Sequence, residues 1–321
     1  MTRVRSSEAP AEDVNRSRMT RARSSEAPAR DVNRSRIVTF GSANADIIFR
    51  LPHLPRPGET VLGQAPPPMP GGKGLNQAIA AARAGARVAF AGAVGDDPHG
   101  EMLREALTTA GVDTAMLAHV AAPTAIACVM TDAEGRNQIA VASNANRQAR
   151  AAAIPDAALR DAILLLQMEV PPAENAALLR RAQALGTRVI LNLAPAAAQP
   201  ELAAAAYIIA NEEEAAWLAA QHATTADAQA LSAALGTTVI CTLGAAGAEA
   251  PGLRAAPFSV PVADTVGAGD AWCGAFAAAL AEGAPLPAAM RFANAAGALA
   301  CTRIGAAAPS RAQIEALTAS A

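Results

Sequence analysis

Apolar stretches and amphipathic stretches alternate along most of the chain. From Ile37 onward, short segments that are apolar at nearly every position, such as "RIVTFGS" and "AILLLQMEV", are followed by segments with helical periodicity. Strands that are continuously apolar are typical of a parallel sheet covered by helices on both faces. The pattern therefore predicts an α/β fold, a three-layer α/β/α domain with a mostly parallel central sheet, over residues 37–321.

The predicted elements are spread over that whole domain. Further strands are predicted in "RVAFAGAVG", "TAIACVMTD", "NQIAVAS", "TRVILNLAP", "AAYIIANE" and "TTVICTLG". Helices are predicted in "GLNQAIAAARAG", "GEMLREALTTAG", "PAENAALLRRAQALG" and "AQALSAALG". Before the first helix, "ADIIFRLPHLPRPGETVLGQAPPP" predicts two short extended pieces around Pro57-Gly58, arranged like a hairpin. Because ligands bind beyond the carboxyl ends of parallel strands, polar residues at those ends are the candidates for a site.

The first 36 residues are a tandem repeat. The segment Met1 to Arg18 recurs as Met19 to Arg36, with changes only at Val4/Ala22 and Glu12/Arg30. Both copies are too polar to bury a core, so we expect residues 1–36 to be a disordered tail. Two interpretations stay open: the segment is a functional tail, or it is a duplicated start in which Met19 is a second initiation site.

Composition narrows the class of protein. Hydrophobic residues make up 52% and charged residues 17% of the chain, and the formal net charge is -2. This balance offers no basic patch for nucleic acid, and the longest uncharged run is broken by polar residues, so no membrane partner is expected. The four cysteines do not pair at metal-ligand spacing, which favours free thiols in a reducing, cytoplasmic location. No apolar segment typical of a secretory signal follows the N-terminus.

Phosphate binding in this chain needs a device other than the common P-loop. "GGKGLN" lacks both the upstream glycine and the Ser/Thr after the lysine, and "GAGDAW" places Trp272 at the last glycine of a dinucleotide-binding motif. In "DTVGAGDAW", Gly267, Ala268 and Gly269 would let a phosphate approach unpaired N–H groups at a helix start. Asp270 would then act as general base on an alcohol at the other end of one in-line transfer. A tight turn with Asp270 as an ordinary first-turn acid is the alternative.

Other polar residues lie at the ends of predicted strands or the starts of helices. Asn44 and Asp46 follow the first strand, where they could hold vicinal hydroxyls or form an Asx-turn. Glu169 ends an apolar strand, where a carboxylate needs a partner. Asn211 and Glu214 could order water around Mg²⁺, or Asn211 could simply cap a helix. The glycines of "MPGGKGLNQ" would bring backbone close to a small ligand or merely form a loop.

Together and in this order, the segments resemble the PfkB carbohydrate kinases. "GGKGLNQAIAAARAG" and "DTVGAGDAWCGA" are similar to the two signature segments of that family. "GSANADII", "PGETVLG", "LLLQMEVP", "LNLAPA", "NEEEA", "TLGAAG" and "RFANAAGALACTRIGAAAPS" resemble its branch that phosphorylates D-ribose. The resemblance implies an ATP-dependent kinase with a small β-lid over the sugar, its strands drawn from about 46–70 and 121–142. One departure is "SNAN", Ser143 to Asn146, where Gly-Ala-Asn is usual in the family.

The resemblance also implies roles for particular residues. The sugar would be held by Asn44, Asp46, Gly72, Lys73, Asn76, Glu169 and Asp270. The phosphate–Mg²⁺ region would be served by Asn211 and Glu214. The nucleotide would be lined by Thr242, Leu243, Gly244, Ala245, Ala246, Gly247, Gly269 and Asn294. The anion hole would consist of Gly267, Ala268 and Gly269, with Asp270 as the base. A monovalent cation, K⁺, would be bound at Asp264, Val266, Ala300, Arg303, Gly305 and Ser310.

We therefore expect a kinase that moves the γ-phosphoryl group of ATP to the 5-hydroxyl of D-ribose, with Mg²⁺ and K⁺ as cofactors. The first alternative is another kinase of the same family, acting on a nucleoside, deoxyribose or fructose. The second is a non-catalytic sugar-binding protein, which would be expected to lack Asp270 or the glycines before it. The resemblance further implies a homodimer formed through the lid.

Overall fold

The computed structural model describes residues 36–199 and 201–320, so the predicted tail lies outside the described residues except for Arg36. The strands are β1 (Arg36–Phe40), β2 (Asn44–Arg50), β3 (Met69–Gly71), β4 (Val88–Gly95), β5 (Asp113–Val120), β6 (Ala125–Thr131), β7 (Asn137–Ala142), β8 (Ala162–Leu166), β9 (Arg188–Asn192), β10 (Tyr207–Asn211), β11 (Thr238–Thr242), β12 (Ala248–Ala250) and β13 (Leu253–Ala255). The helices are α1 (Lys73–Arg83), α2 (Pro98–Thr109), α3 (Asp156–Leu159), α4 (Pro172–Leu185), α5 (Glu212–His222), α6 (Ala228–Leu235), α7 (Ala268–Ala281), α8 (Leu286–Ala300) and α9 (Arg311–Ala319). Short 3₁₀ helices occupy Asn144–Gln148, Ala151–Ala153, Leu202–Ala204 and Gly244–Ala246.

The main sheet is mostly parallel. Its order is β13-β12-β11-β10-β9-β8-β1-β4-β5, and every neighbouring pair from β11 to β5 is parallel. The hairpin of β12 and β13 extends it antiparallel at one edge. The chain builds the sheet outward in one direction from β1 to β5 and in the other from β8 to β11. The point of reversal, between β1 and β8, is where open α/β sheets place their ligands.

Helices cover both faces of this sheet. On one face, Leu75 of α1 and Phe276 of α7 are buried in the same cluster as Ile37. On the opposite face, Leu178 of α4 is buried in the same cluster as Val38. Neighbouring side chains of β1 thus pack on opposite faces of the sheet. Because both faces are buried, the strand is apolar at successive positions. The predicted three-layer α/β/α architecture is confirmed.

The remaining strands form a second, four-stranded sheet in the order β3-β2-β6-β7, which we call the lid. It continues directly from the main sheet, because only residues 41–43 separate β1 from β2. The segment predicted to be arranged like a hairpin turns at Pro57-Gly58 and is closed by one isolated antiparallel bridge, from Gln64 to Arg50, without a longer ladder between residues 51 and 68. This segment, "LPHLPRPGETVLGQAPPP", is rich in prolines, which lack the N–H group that a ladder requires.

Helix α7 runs through the interior beside α1. Every residue from Asp270 to Ala281 is buried. The two helices pack closely because Gly274 has no side chain: a Cβ there would lie 2.6 Å from both the Ala80 Cβ and the Gln77 carbonyl oxygen. The apolar character of α7 therefore reflects close packing. Within the described ranges, no helix is both long enough and apolar enough to cross a bilayer.

Candidate active site

The segment after β1 lies directly against the start of α1. A Cβ on Gly72, whose φ is 91°, would lie 2.9 Å from the Asn44 backbone nitrogen, and one on Gly74 would lie 2.6 Å from that of Ser42. At such distances a side chain forces the backbone to shift, so these two positions need glycine. The contact brings Asn44, beyond the end of β1, against the start of α1, and the Asp46 carboxylate lies against Gly71 just before that helix.

Glu169 follows β8, and residues from two other segments hold its carboxylate. Its Oε2 accepts hydrogen bonds from the Ser42 hydroxyl at 2.6 Å and from the Lys73 backbone N–H at 3.0 Å. The Glu169 N–H donates to Gln167 Oε1 at 3.4 Å. A partly buried carboxylate at a strand end thus has the partners it needs. It joins β1, β8 and α1 at the point where the strand order reverses.

Lys73 supplies positive charge among the carboxylates. Burial alone would lower the pKa of its ammonium group, but the negative charges of Asp270 and Glu169 outweigh burial and raise that pKa. Lys73 therefore stays protonated at neutral pH. Its charge offsets part of the repulsion between acids that lie close together.

Asp46 has a carboxylate that the protein does not satisfy. Its Oδ1 is buried and has no hydrogen-bond partner within the described part of the chain. Gly71 makes room for the group, since a Cβ there would lie 2.0 Å from Asp46 Oδ2. Burial, together with the charges of Glu169 and Asp270, raises the pKa of Asp46 to about 7. A ligand hydroxyl that donates to this carboxylate would satisfy it.

Asn44 is oriented by a residue that the sequence argument did not assign a role. Asn146 Nδ2 donates to Asn44 Oδ1 at 2.7 Å, and Asn146 Oδ1 accepts from the Ala43 backbone N–H at 3.1 Å. Both asparagines are buried. The pairing uses the oxygen of Asn44 and leaves its amide nitrogen as the group that can donate to a ligand.

Asp270 lies in the first turn of α7, and α1 holds both oxygens of its carboxylate. Asn76 Nδ2 donates to Oδ2 at 3.1 Å and Gln77 Nε2 donates to Oδ1 at 2.9 Å. Burial raises the pKa of Asp270, while the Lys73 charge and the two amide bonds act in the opposite direction. An ordinary first-turn acid faces solvent, whereas Asp270 is buried beside Lys73. This arrangement is that of a positioned base.

The turn before Asp270 leaves the start of α7 uncapped. Gly267 has φ 74° and no side chain caps the helix, so the Gly269 and Asp270 N–H groups lack an acceptor within it. A Cβ on Gly269 would meet nothing within 4 Å, which means that open space lies in front of it. The Ala268 N–H donates to the Thr265 carbonyl at 3.2 Å. Among the residues predicted for the anion hole, Gly269 therefore presents a more available amide than Ala268 does.

Asn211 and Glu214 form a capping box at the start of α5. The Asn211 N–H donates to Glu214 Oε2 and the Glu214 N–H donates to Asn211 Oδ1, each at 2.8 Å. The interpretation of Asn211 as a helix cap is thus confirmed. Burial raises the pKa of Glu214, and the Lys73 charge opposes that rise. The carboxylate therefore faces the same charged cluster and would be stabilised by a further cation.

The predicted nucleotide loop follows β11. Residues 242–247 make a 3₁₀ turn in which Gly244 and Gly247 have φ of 52° and 92°. Asn294, predicted to line the nucleotide, uses its side chain within the protein. Its Nδ2 donates to the Ala255 and Ala256 carbonyls at 3.0 and 2.9 Å, and its Oδ1 accepts from Trp272 Nε1 at 2.7 Å. It thereby joins α8 to α7 and β13, and its contact with a nucleotide stays a prediction.

Residues 34–313 match the family model described as pfkB family carbohydrate kinase. The chain belongs to this family. It is 36% identical over 289 residues to the ribokinase of Bacillus subtilis, an alignment that covers 86% of this chain and 97% of the relative.

Solved structures of PfkB-family proteins agree with this assignment. The ribokinase of Thermotoga maritima superposes with a TM-score of 0.80 at 30% identity, covering 88% of this chain and 99% of that one. The Arabidopsis thaliana ribokinase, described as complexed with ribose and ATP, gives a TM-score of 0.79 at 30% identity, covering 89% and 99%.

In this PfkB-family chain, Asp264 ties together the segments predicted to bind a monovalent cation. Its Oδ1 accepts from the Val266 N–H at 3.0 Å and its Oδ2 accepts from the Gly305 N–H at 2.8 Å. Ala300 ends α8 one residue before Cys301, whose carbonyl accepts from the Asp264 N–H at 3.2 Å. The structure thus brings Asp264, Val266 and Gly305 together.

Two other residues predicted to bind the cation make hydrogen bonds to residues near them in the chain. Ser310 precedes α9, where its N–H and hydroxyl both donate to Gln313 Oε1, at 3.0 and 3.2 Å. Arg303 lies half-buried in the turn after α8, and its N–H donates to the Ala300 carbonyl at 3.2 Å. Cation contact by Ser310 and Arg303 stays a prediction.

The sequence argument missed the residues that position the site. Ser42, Gln77, Asn146 and Gln167 hold the side chains described above, and each is buried. Gln167 Nε2 donates to the Phe40 carbonyl at 2.7 Å and crosses the face of Gly41, where a Cβ would lie 1.5 Å from that nitrogen. A buried polar residue inside an otherwise apolar segment was the available signal, because such a group needs a partner.

Proposed function

We propose that this chain transfers the γ-phosphoryl group of ATP to the 5-hydroxyl of D-ribose. The observation that carries the proposal is Asp270, whose carboxylate is anchored at the uncapped start of α7 beside Lys73 and the sugar-side acids. Family membership supports a phosphoryl transfer to a sugar hydroxyl. Relatives that carry the name ribokinase, one of them described as holding ribose and ATP, support D-ribose as the acceptor.

In the proposed reaction, Asp270 takes the proton of the 5-hydroxyl on its carboxylate. The hydroxyl oxygen forms a bond to the γ-phosphorus as the bond from phosphorus to the leaving oxygen of ADP breaks with its electron pair. The amides at the start of α7, led by Gly269, stabilise the negative charge on the transferred group. Asn44, Asp46, Asn76 and Glu169 orient the sugar. Each residue thus acts on a different part of one in-line transfer.

The residues beside the phosphate region fit Mg²⁺. Glu214 is a partly buried carboxylate whose pKa is raised by burial, so a nearby cation would stabilise its charged form. Oxygen ligands of this kind suit Mg²⁺, which binds through carboxylates, water and substrate phosphates. Glu214 and Asn211 would hold the ion through water, and the ion would neutralise charge on the phosphates. The cofactors of the proposed reaction are therefore ATP, as phosphoryl donor, and Mg²⁺.

The residues around Asp264 fit K⁺, and we expect K⁺ to activate the enzyme more than Na⁺. The Asp264 carboxylate already joins Val266, just before the anion hole, to Gly305. A cation held there by Asp264 and main-chain carbonyls would order the turn that carries Gly267 to Gly269. Replacing K⁺ with a large organic cation should lower kcat, as measured by ADP release at constant ionic strength. Equal kcat values with K⁺ and with the organic cation would contradict activation by K⁺.

D-ribose should be preferred over 2-deoxyribose, fructose and nucleosides. Asn44 and Asp46 would pair with neighbouring hydroxyls, and within the described part of the chain the buried Asp46 Oδ1 has no other partner. Losing one hydroxyl should cost ~1–3 kcal/mol, which is roughly five- to 150-fold in kcat/KM. A panel of acceptors, followed by ADP release, measures this. A higher kcat/KM for fructose or a nucleoside would contradict ribose as the substrate, and no ADP release with any acceptor would favour a non-catalytic sugar-binding protein.

We include in the proposal a homodimer formed through the lid. One face of β7 in the lid carries two exposed apolar side chains: Ile139 is 59% and Val141 50% exposed. An apolar patch of this kind is typical of an interface. Sedimentation should give twice the mass of one chain, and Ile139→Lys should shift the protein toward monomer. A monomeric parent at micromolar concentration would contradict the dimer.

The proposal places the enzyme in a reducing, cytoplasmic compartment. All four cysteines are free thiols, two of them buried. Burial raises the pKa of Cys241 to about 12, so that thiol stays protonated and unreactive. Free thiols of this kind are the usual state of cysteine in the cytosol.

A further inference from the structure

Gln77 is a buried polar residue for which the proposed reaction has no stated role. Its side chain is fully buried among the helices, with 0% exposure. Its Nε2 donates to Asp270 Oδ1 at 2.9 Å, while its Oε1 is buried without a hydrogen-bond partner in the described residues. A buried acceptor without a partner destabilises the fold, so an apolar side chain would suit the core better. Stability alone therefore does not explain a glutamine here.

The packing of α1 on α7 fixes the distance between Gln77 and Asp270. Gly274 lies one turn after Asp270 on α7, and a Cβ on it would lie 2.6 Å from the Gln77 carbonyl oxygen. The two backbones therefore approach as closely as they can at this level. The Gln77 side chain has no freedom to follow a ligand, because it is enclosed by both helices.

The two amides that hold Asp270 differ in access. Asn76 is half-buried and belongs to the residues expected to bind the sugar, so its bond to Oδ2 competes with a bond to substrate. Gln77 is enclosed, so its bond to Oδ1 persists whether or not a sugar is present. The torsion that turns a carboxylate about its Cβ–Cγ bond is soft, and one fixed oxygen determines where the other points.

We propose that Gln77 is a positioning residue for the base: it holds Oδ1 of Asp270 permanently, so that Oδ2 is the oxygen that takes the hydroxyl proton. This inference rests on the proposed function, because it assigns the two oxygens of the same base. Gln77 contacts neither sugar nor phosphate and acts only through Asp270. Its N–H also favours the ionised carboxylate, which is the form that accepts a proton.

The test compares Gln77→Met with a matched control, Gln199→Met. Gln199 is also buried, and among the described residues its Oε1 has no partner; it lies on the loop after β9, and its Nε2 makes a long bond, 3.4 Å, to Glu201. For Gln77→Met we expect the acid limb of the kcat–pH profile to move to higher pH by about one unit. At pH values on the acid side of that limb, kcat should therefore be about tenfold lower than in the parent. Raising the pH should restore much of the rate, and KM for ribose should change less than threefold. The control should keep the parent profile.

A double variant separates a positioning role from a structural one. In an Asp270→Asn background, Gln77→Met should cause no further loss of kcat, because the group through which it acts is gone. A kcat–pH profile that superimposes on that of the parent, or losses that add in the double variant, would overturn the inference. If Gln77→Met fails to fold, Gln77→Glu keeps the shape and should move the acid limb in the same direction. Unchanged kcat in Asp270→Asn alone would instead contradict the proposed function.

Discussion

Replacing Asp270 by asparagine is expected to lower kcat by ~10²–10⁴-fold, because general-base catalysis typically contributes that much. The change keeps the shape of the side chain and removes the proton acceptor. Sugar affinity should change much less, since Asn44, Asp46 and Glu169 hold the sugar independently of the base. The protein should stay folded, because the asparagine keeps an oxygen that can accept the hydrogen bond from Gln77 Nε2.

To test this, kcat, ribose affinity and Tm should be measured on one preparation of Asp270→Asn. Asp227→Asn is the matched control, because Asp227 also lies at a helix start, where its Oδ1 accepts from the Ala230 N–H at 2.8 Å, but caps the remote α6. The control should keep kcat, since asparagine is also a good cap. Turnover of Asp270→Asn within about tenfold of the parent would contradict a general-base role.

Asp46→Asn should make the protein more stable and its use of ribose poorer. The pKa of Asp46 is about 7 in the folded state, whereas the pKa of an aspartate free of these surroundings is 3.8. The folded state thus binds more protons than the unfolded state between about pH 4 and 7, and stability falls as pH rises through that window. The amide does not ionise, so the gain in Tm should be small at pH 4 and largest at pH 8.

The same carboxylate predicts a pH dependence of ribose binding. Sugar hydroxyls donate to an ionised Asp46, so below pH 7 binding must displace a proton. We expect KM for ribose to be about tenfold higher at pH 6 than at pH 8, since one unit below the pKa costs about tenfold. In Asp46→Asn, kcat/KM should fall by roughly 10–100-fold at pH 8 and the pH dependence of KM should vanish. Unchanged KM together with lower Tm would show that Asp46 is a structural acid.

The fold followed from the sequence wherever one physical pattern dominated. Strands such as β8 are apolar at every position, and both of their faces are buried, so the parallel three-layer sheet could be predicted. Strand β5 could not, because it lies at the sheet edge and only Leu117 among its residues is buried. The hairpin-like lid connection closes by a single bridge rather than a ladder, since its prolines lack the N–H group that pairing requires.

For the site, the sequence indicated the reacting groups but not what holds them. Asp270 and the glycines before it stand out because a carboxylate beside an anion-binding turn is unusual. Gln77 gave no comparable signal, because its partner is 193 residues away and only the packing of α1 on α7 brings them together. The same holds for Asn146 and Asn44, which lie 102 residues apart. Long-range hydrogen bonds of this kind depend on the tertiary structure.

Phosphorylation of D-ribose at its 5-hydroxyl can be tested on the reaction product itself. The purified protein should be incubated with ATP, Mg²⁺, K⁺ and ribose labelled at carbon 5, and the product examined by phosphorus and carbon NMR. We expect one ADP for each sugar consumed and a phosphate coupled to carbon 5. A phosphate on another carbon, or ADP release that does not depend on ribose, would contradict it.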